Sequence, residues 1–390
     1  MEKHVIDQYA HKNQKLLRYG VTTGSCAAAA ACAASMRLLL GKDVQSVSVK
    51  TPKLAVLDIP VFCSEYGEDY AEYYVIKDSG DDPDVTDGAG VYVRVSIVEE
   101  SDTNCFADED FADIYLDGGV GIGRVTKEGL EQRVGQAAIN AVPRRMILEA
   151  VHNVKDEAAY EGKLLVVVSM PEGKKLAEKT FNSMLGIEGG LSILGTSGII
   201  EPMSERAIID TIESRIRQKS NIGETKLLVT PGNYGQGYVS DYLKLSLSDS
   251  IKCSNYIGET LDLAVAYGIK TLLLVGNIGK LVKLAAGIMN THSKVADGRG
   301  EIFGVHAAMC GASAELVKEI MHCINTDSML ELLAHEGLKE MVLNSIICSI
   351  EEKVKYRVGD AMSFSVVLFS EKYGYLGATA GSEEIIRQFR

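Results

Sequence analysis

The 390-residue chain has no CxxC pair, no apolar run near the roughly 18 residues of a spanning helix, and no basic excess. Its eight cysteines, Cys26, Cys32, Cys63, Cys105, Cys253, Cys310, Cys323 and Cys348, are scattered. No secretory leader is read ahead of them, so reduced thiols in a cytoplasmic protein are the expectation. Isolated cysteines ordinarily pack in cores and the seven histidines do not cluster at ligand spacing, so no protein-bound metal is expected. Residues 26–34 are too short and too rich in alanine for a membrane span, and residues 272–275 read as a buried strand. Lys and Arg number 40 against 53 Asp and Glu, a net charge of -13, which argues against a general nucleic-acid binder. An anionic ligand must therefore meet positive charge gathered locally.

What is present is ordinary globular composition, 46% hydrophobic and 24% charged, in a chain long enough for two or three domains. The opening ten residues read as a loose polar arm. Thr22 and Ser25 stand where a helix cap belongs, an alanine-rich helix follows, and Gly41 stops it. Residues 46–50, 56–62, 71–78 and 91–99 read as strands of one mixed or antiparallel sheet, with the acidic residues 78–84 a solvated turn between them. A strand at 114–117 leads into glycines and then a helix from Lys127, a second strand spans 163–169, and a long Gly-Ser-Thr-rich loop covers 186–202. Ser204 caps a helix with Ile208, Ile209, Ile212 and Ile216 on one face, and residues 221–224 read as the domain junction. Beyond it, strands at 227–230 and 271–275 each run into a glycine loop, the second followed by a helix over 281–289. Helices at 314–323, 328–335 and 343–354 and a strand at 364–369 complete the pattern. The expected class is α/β and α+β in two domains. Residues 1–222 form an α+β domain with a mixed sheet and glycine-rich loops, and residues 223–390 a Rossmann-like parallel α/β domain.

Four stretches could carry chemistry. Asp117 followed by Gly118, Gly119, Gly121 and Gly123 suits either a nucleotide-type or S-adenosylmethionine loop, or a plain tight turn. The third glycine of GxGxxG is missing, which weakens a dehydrogenase reading, and the run from Gly276 to Lys280 lacks the rest of a phosphate loop, which removes kinase or ATPase chemistry. Thr22, Thr23 and Ser25 at a helix start could cradle a carboxylate, or merely cap the helix. Arg144 and Arg145 could clamp a carboxylate or lie solvated. Residues 290–299 are the densest polar run, with His292, Lys294, Asp297 and Arg299 at one end of the expected parallel sheet.

In order along residues 17–311, these stretches resemble one family. The match includes Thr22-Thr23-Gly24-Ser25-Cys26-Ala27, Asp84-Val85-Thr86-Asp87-Gly88-Ala89, Gly118-Gly119-Val120-Gly121-Ile122-Gly123 and Val142-Pro143-Arg144. It continues with Ser192-Ile193-Leu194-Gly195-Thr196, Pro231-Gly232-Asn233-Tyr234-Gly235, Gly279-Lys280-Leu281-Val282-Lys283 and Thr291-His292-Ser293-Lys294. Together they resemble the cobalt-precorrin-5B C(1)-methyltransferase family, CbiD, of anaerobic cobalamin biosynthesis. The chain departs from that pattern at Asn277, where the family has histidine in a Gly-His-Ile-Gly-Lys loop, and at Ala141, where it has proline.

The resemblance implies transfer of the methyl group of S-adenosylmethionine to C-1 of cobalt-precorrin-5B, giving cobalt-precorrin-6A, with cobalt entering only as part of the substrate. The partner is thus a small-molecule tetrapyrrole, with no nucleic acid and no membrane, and homo-oligomerisation is left open. The methyl donor is expected at Asp117, Gly119, Gly121 and Gly123, with Gly232, Asn233, Gly276 and Gly279 as the second location. The carboxylates of the substrate are assigned to Thr22, Thr23, Ser25, Arg144, Lys280, Lys283, Lys294 and Arg299. His292 is the expected acid or base and Asp297 its orienting partner. A tetrapyrrole-binding protein without catalysis is the competing reading, and an unrelated Rossmann-type oxidoreductase a weaker one.

Overall fold

The computed structural model describes residues 6, 8–12, 15–100, 104–180, 182–202, 204–247 and 250–390. They divide into two compact units, 1–205 and 206–390. The division falls after the first residue of the helix Glu205–Asn221, not at the 222/223 boundary read from the sequence. Ile212 and Ile216 of that helix are buried in the core of the second unit, which is why it belongs there.

In the first unit a five-stranded sheet runs in the order Phe62–Tyr66, Tyr70–Ile76, Gly90–Val98, Lys163–Ser169, Ile114–Gly118. Only its last pair is parallel. Period-two burial puts Tyr73, Val93, Val166 and Leu116 in one core with the alanines of the helix Thr23–Leu40. Alanine side chains let that helix lie close to both the sheet and the helix Ala141–Glu157. Thr22 caps the helix and Gly41, at φ 66°, ends it, as the sequence indicates. The same 18-residue helix is long and apolar enough to cross a membrane by length and composition, contrary to the reading that no run qualifies. It is largely buried inside the unit, as a core helix is.

Several sequence expectations for this unit change. Part of the opening arm, residues 1–5 and 7, lies outside the described residues, and Tyr9–Lys12 pairs as a strand with Lys15–Arg18. Ser46–Lys50 and Val56–Pro60 form a separate hairpin, because the run read as 56–62 breaks at Val61 and the strand Phe62–Tyr66 joins the large sheet instead. No helix follows Lys127. Gly129 and Gly135 hold positive φ, and the helix starts only at Ala141, with Pro143 in its first turn where a missing N–H is tolerated.

The acidic loop at 78–84 is solvated only at its tip, where Asp81 and Pro83 are exposed, and its ends are tied down. Asp78 takes Arg18 in a two-pronged pair at 2.6 Å, and the fully buried Lys77 ammonium donates to Asp84 at 2.6 Å and Ser79 Oγ at 2.7 Å. Burial would push the Asp84 carboxyl up, but the Lys77 charge and the hydrogen bonds from Lys77 and Thr86 hold it below its ordinary value.

The second unit has a five-stranded sheet in the order Ile251–Lys252, Lys226–Thr230, Thr271–Asn277, Ser363–Ser370, Gly374–Ala378. The first three pairings are parallel and the last antiparallel. Its strands are apolar on both faces. Leu227, Leu272 and Val366 pack with the helices Ile257–Ala266, Arg299–Met309 and Lys339–Val358, whereas Leu228, Leu273 and Val367 pack with Tyr238, Val239 and Ile385. Ile208, expected on the buried face of its helix, sits in the first turn and is exposed. The helix expected at 281–289 is instead Ile278–Leu281 continued as a 3-10 turn, Val282–Ala286, because Asn277 starts it early and Gly287, at φ 74°, stops it.

Candidate functional site

The second unit brings one group of expected residues together at the carboxyl edge of its sheet. From Lys226–Thr230 the chain passes to the strand on one side, Ile251–Lys252, and then to the strand on the other, Thr271–Asn277. The connections leaving the adjacent strands Lys226–Thr230 and Thr271–Asn277 thus run in opposite directions, the arrangement at which open α/β sheets form a ligand crevice. The loop and short helix after Lys226–Thr230 pack there against the end of the strand Thr271–Asn277. A Cβ on Gly235 would lie 2.9 Å from the Val275 carbonyl oxygen, and one on Gly276 3.2 Å from Pro231 Cδ. Gly232 differs, since a Cβ there would meet nothing within 4 Å. Thr230 Oγ1, fully buried at the end of the strand Lys226–Thr230, has no hydrogen-bond partner, and the buried Glu259 Oε2 has none either.

Charge at this edge is positive. Lys280 Nζ donates to Asn255 Oδ1 at 2.8 Å, and Lys252 Nζ to Asn233 Oδ1 at 2.5 Å. Burial lowers the Lys280 ammonium from its ordinary value, and the nearby Lys252 charge lowers it further. Burial pushes the Cys253 thiol up to about 12, so it stays neutral beside Lys280. Asn277 accepts from the Gly279 N–H at 2.8 Å and so caps the short helix that carries Lys280.

The polar run at 290–299 is fixed from beneath by Lys283. This buried ammonium donates to the carbonyls of Thr291, at 3.2 Å, and Ala296, at 2.7 Å, so it holds backbone rather than facing a ligand. The Asp297 carboxylate is taken by Arg299 at 2.5 and 2.9 Å, which holds its carboxyl below the ordinary range. That pairing replaces the expected His292 contact. His292 is exposed and its Nδ1 accepts from the Lys294 N–H at 3.1 Å. Lys294 extends from the same turn and makes no ion pair among the described residues.

The candidates in the first unit are engaged internally. Asp117 takes Arg124 in a two-pronged pair at 2.6 and 2.8 Å. The space beside the glycines that follow is filled by protein. A Cβ on Gly119 would lie 2.4 Å from Ser169 Oγ, one on Gly121 1.8 Å from the Met170 carbonyl oxygen, and one on Gly123 2.4 Å from the Ile187 side chain. The loop at 186–202 closes the helix start. Leu194 accepts from the Gly24 N–H at 3.2 Å and Gly198 from Ser25 Oγ at 2.7 Å, leaving Thr22, Thr23 and Ser25 buried. Arg144 pairs with Glu131 at 2.9 Å and lies over the Phe106 ring, and Arg145 pairs with Glu149. A shallow cavity of about 480 Å³ does lie beside Asp117 and Arg124, lined also by Asn104, Thr126 and Gly135.

Family models describe two stretches of the chain, CbiD over residues 10–202 and the CbiD C-terminal domain over 290–380. A Ruminiclostridium cellulolyticum protein named cobalt-precorrin-5B C(1)-methyltransferase is 45% identical over 94% of this chain and 92% of its own length. The chain belongs to the CbiD family. A Treponema denticola protein of the same name is 41% identical over 95% of this chain and 99% of its own. The crystal structure of a cobalamin biosynthesis protein (cbiD) from Archaeoglobus fulgidus matches 74% of this chain and 86% of that one at 26% identity. Its TM-score of 0.38 carries no argument about the fold. Asn277 has a structural task as the cap of the helix that carries Lys280.

Sequence reasoning missed Lys252, which stands on a two-residue strand too short to show a pattern, and Asn255, which follows it. The signal available was the pair of lysines on either side of Cys253 and Gly276, legible only once the parallel order of the strands is known.

Proposed function

We propose that this CbiD protein is a cytoplasmic enzyme that methylates C-1 of cobalt-precorrin-5B with S-adenosylmethionine, giving cobalt-precorrin-6A in cobalamin biosynthesis. The observation that carries the reading is near-full-length identity of 45% to a relative bearing that name. The second unit is read as a Rossmann-like layer whose switch-point crevice binds ligand. The unpartnered Thr230 hydroxyl and the open space at Gly232 fit a bound molecule there, whereas the Gly119, Gly121 and Gly123 positions are filled by the protein itself. This favours Gly232, Asn233, Gly276 and Gly279 over the Asp117 loop as the place that holds the methyl donor.

When bound, S-adenosylmethionine supplies a methyl group already activated on a sulfonium. The protein's work is to orient, to exclude water and to place charge. The backbone at Gly232 and Gly276 leaves room for close approach, and the Asn277 cap fixes the helix that carries Lys280. Lys283 pins the 291–296 turn, and so places His292, which is proposed as the acid or base, and Lys294 at the substrate side. Arg299, tied to Asp297, contributes position more than free charge. Co-crystallisation with S-adenosylhomocysteine tests the placement. Density against Gly232 and Gly276 is expected, and density only against Gly118 to Gly123 overturns it.

A further inference from the structure

Several described cations of the second unit face acids. Arg299 is bidentate to Asp297 and Arg357 to Asp262, and Lys355 and Lys372 face Asp360 and Glu331. Lys252 and Lys280 stand near one another and, like Lys294, make no ion pair among the described residues. Each is held by one asparagine amide oxygen, Asn233 for Lys252 and Asn255 for Lys280, and neither meets a carboxylate among the described residues. An amide oxygen orients an ammonium without cancelling its charge. The two lysines repel one another, and Lys280 is half-buried, so holding them there costs free energy in a chain of net charge -13 that has acids to spare. Lys252 is paired in register with Thr230, whose buried hydroxyl has no partner.

We infer that Lys252 and Lys280 together seat a carboxylate of the bound ligand at the mouth of the switch-point crevice. The inference rests on the ligands of the proposed methyl transfer. Two of them carry carboxylates, the methionyl end of the donor and the rim of the macrocycle, and the structure shows only the shared chemistry. Two ammonium groups, one on the strand Ile251–Lys252 and one on the helix Ile278–Leu281, suit an anion with two oxygens, one to each. Lys252 thereby becomes a specificity residue that selects the ionised acid over a neutral ester.

The test is titration calorimetry on the full chain with two pairs of ligands: S-adenosylhomocysteine and its methyl ester, and a corrinoid polycarboxylic acid and its fully methylated ester. At least one acid is expected to bind about tenfold or more tighter than its ester, the scale of one charge-assisted hydrogen bond. Lys252→Met and Lys280→Met should each shrink that preference and Lys252→Arg should keep it, with thermal melts confirming that the exposed Lys252 position leaves the fold intact. Preference lost for S-adenosylhomocysteine assigns the seat to the methionyl carboxylate, and preference lost for the corrinoid assigns it to the macrocycle rim. Equal wild-type affinity for acid and ester in both pairs, or a preference that survives both methionine variants, overturns the inference. Absence of methyl transfer with the acid preference intact would count against the proposed reaction alone.

Discussion

Two glycine substitutions separate the two candidate ligand loops. A Cβ at Gly121 would stand 1.8 Å from the Met170 carbonyl oxygen, at a φ of 75° that side chains rarely adopt. Overpacking costs about 1 to 3 kcal/mol and the left-handed backbone about 1 to 2 kcal/mol, so Gly121→Ala should lose about 2 to 5 kcal/mol of stability. At about 2 to 4 °C per kcal/mol for a unit of this size, its melting transition should fall by roughly 5 to 20 °C. Gly232→Ala meets no atom within 4 Å and sits on extended backbone at φ -173°, so its melt should stay near that of the wild type. The same substitution fills the space proposed for the ligand, and S-adenosylhomocysteine affinity by calorimetry should drop about tenfold or more. The reasoning is refuted if Gly232→Ala binds as the wild type does while a folded Gly121→Ala has lost the ligand.

Other outcomes follow from single contacts. Removing the cation of a buried pair costs about 3 to 5 kcal/mol, so Lys77→Met should destabilise strongly and Lys77→Met/Asp84→Asn by less, as read by urea unfolding. Because the folded Asp84 carboxyl lies below its ordinary value, its contribution is complete above about pH 4 and fades as pH falls through the folded value. In Lys77→Met the half-buried carboxylate has lost its partner, so that variant should instead gain stability relative to the wild type on acidification, and parallel pH profiles would contradict this. Asn277→Ala removes the cap on the Lys280 helix and should cost about 1 kcal/mol, with Asn277→Asp retaining most of it.

Local chemistry was the most legible part of the sequence. The Thr22 cap, the alanine helix and its Gly41 stop follow from propensity and backbone freedom alone, and the strands at 46–50 and 163–169 follow from alternation and β-branched content. What stayed hidden depends on partners far along the chain. Lys77 looks like a strand-end surface lysine until Asp84 folds back over it, and the acidic loop looks solvated for the same reason. The Asp117 glycines carry the spacing of a ligand loop, yet Met170, Ser169 and Ile187 occupy the space that their missing side chains leave. The crevice residues Gly232, Gly276 and Lys280 were nameable one at a time, but only the strand order joins them, and the same order reveals Lys252.

Methyl transfer is measured by incubating the protein with cobalt-precorrin-5B and S-adenosylmethionine labelled in the methyl group, and weighing the product by mass spectrometry. One labelled methyl in cobalt-precorrin-6A is expected, with Asn277 serving as the cap of the helix that carries Lys280. Tight binding of the macrocycle with no label transferred would contradict the proposed methylation, and would leave a tetrapyrrole-binding protein in its place.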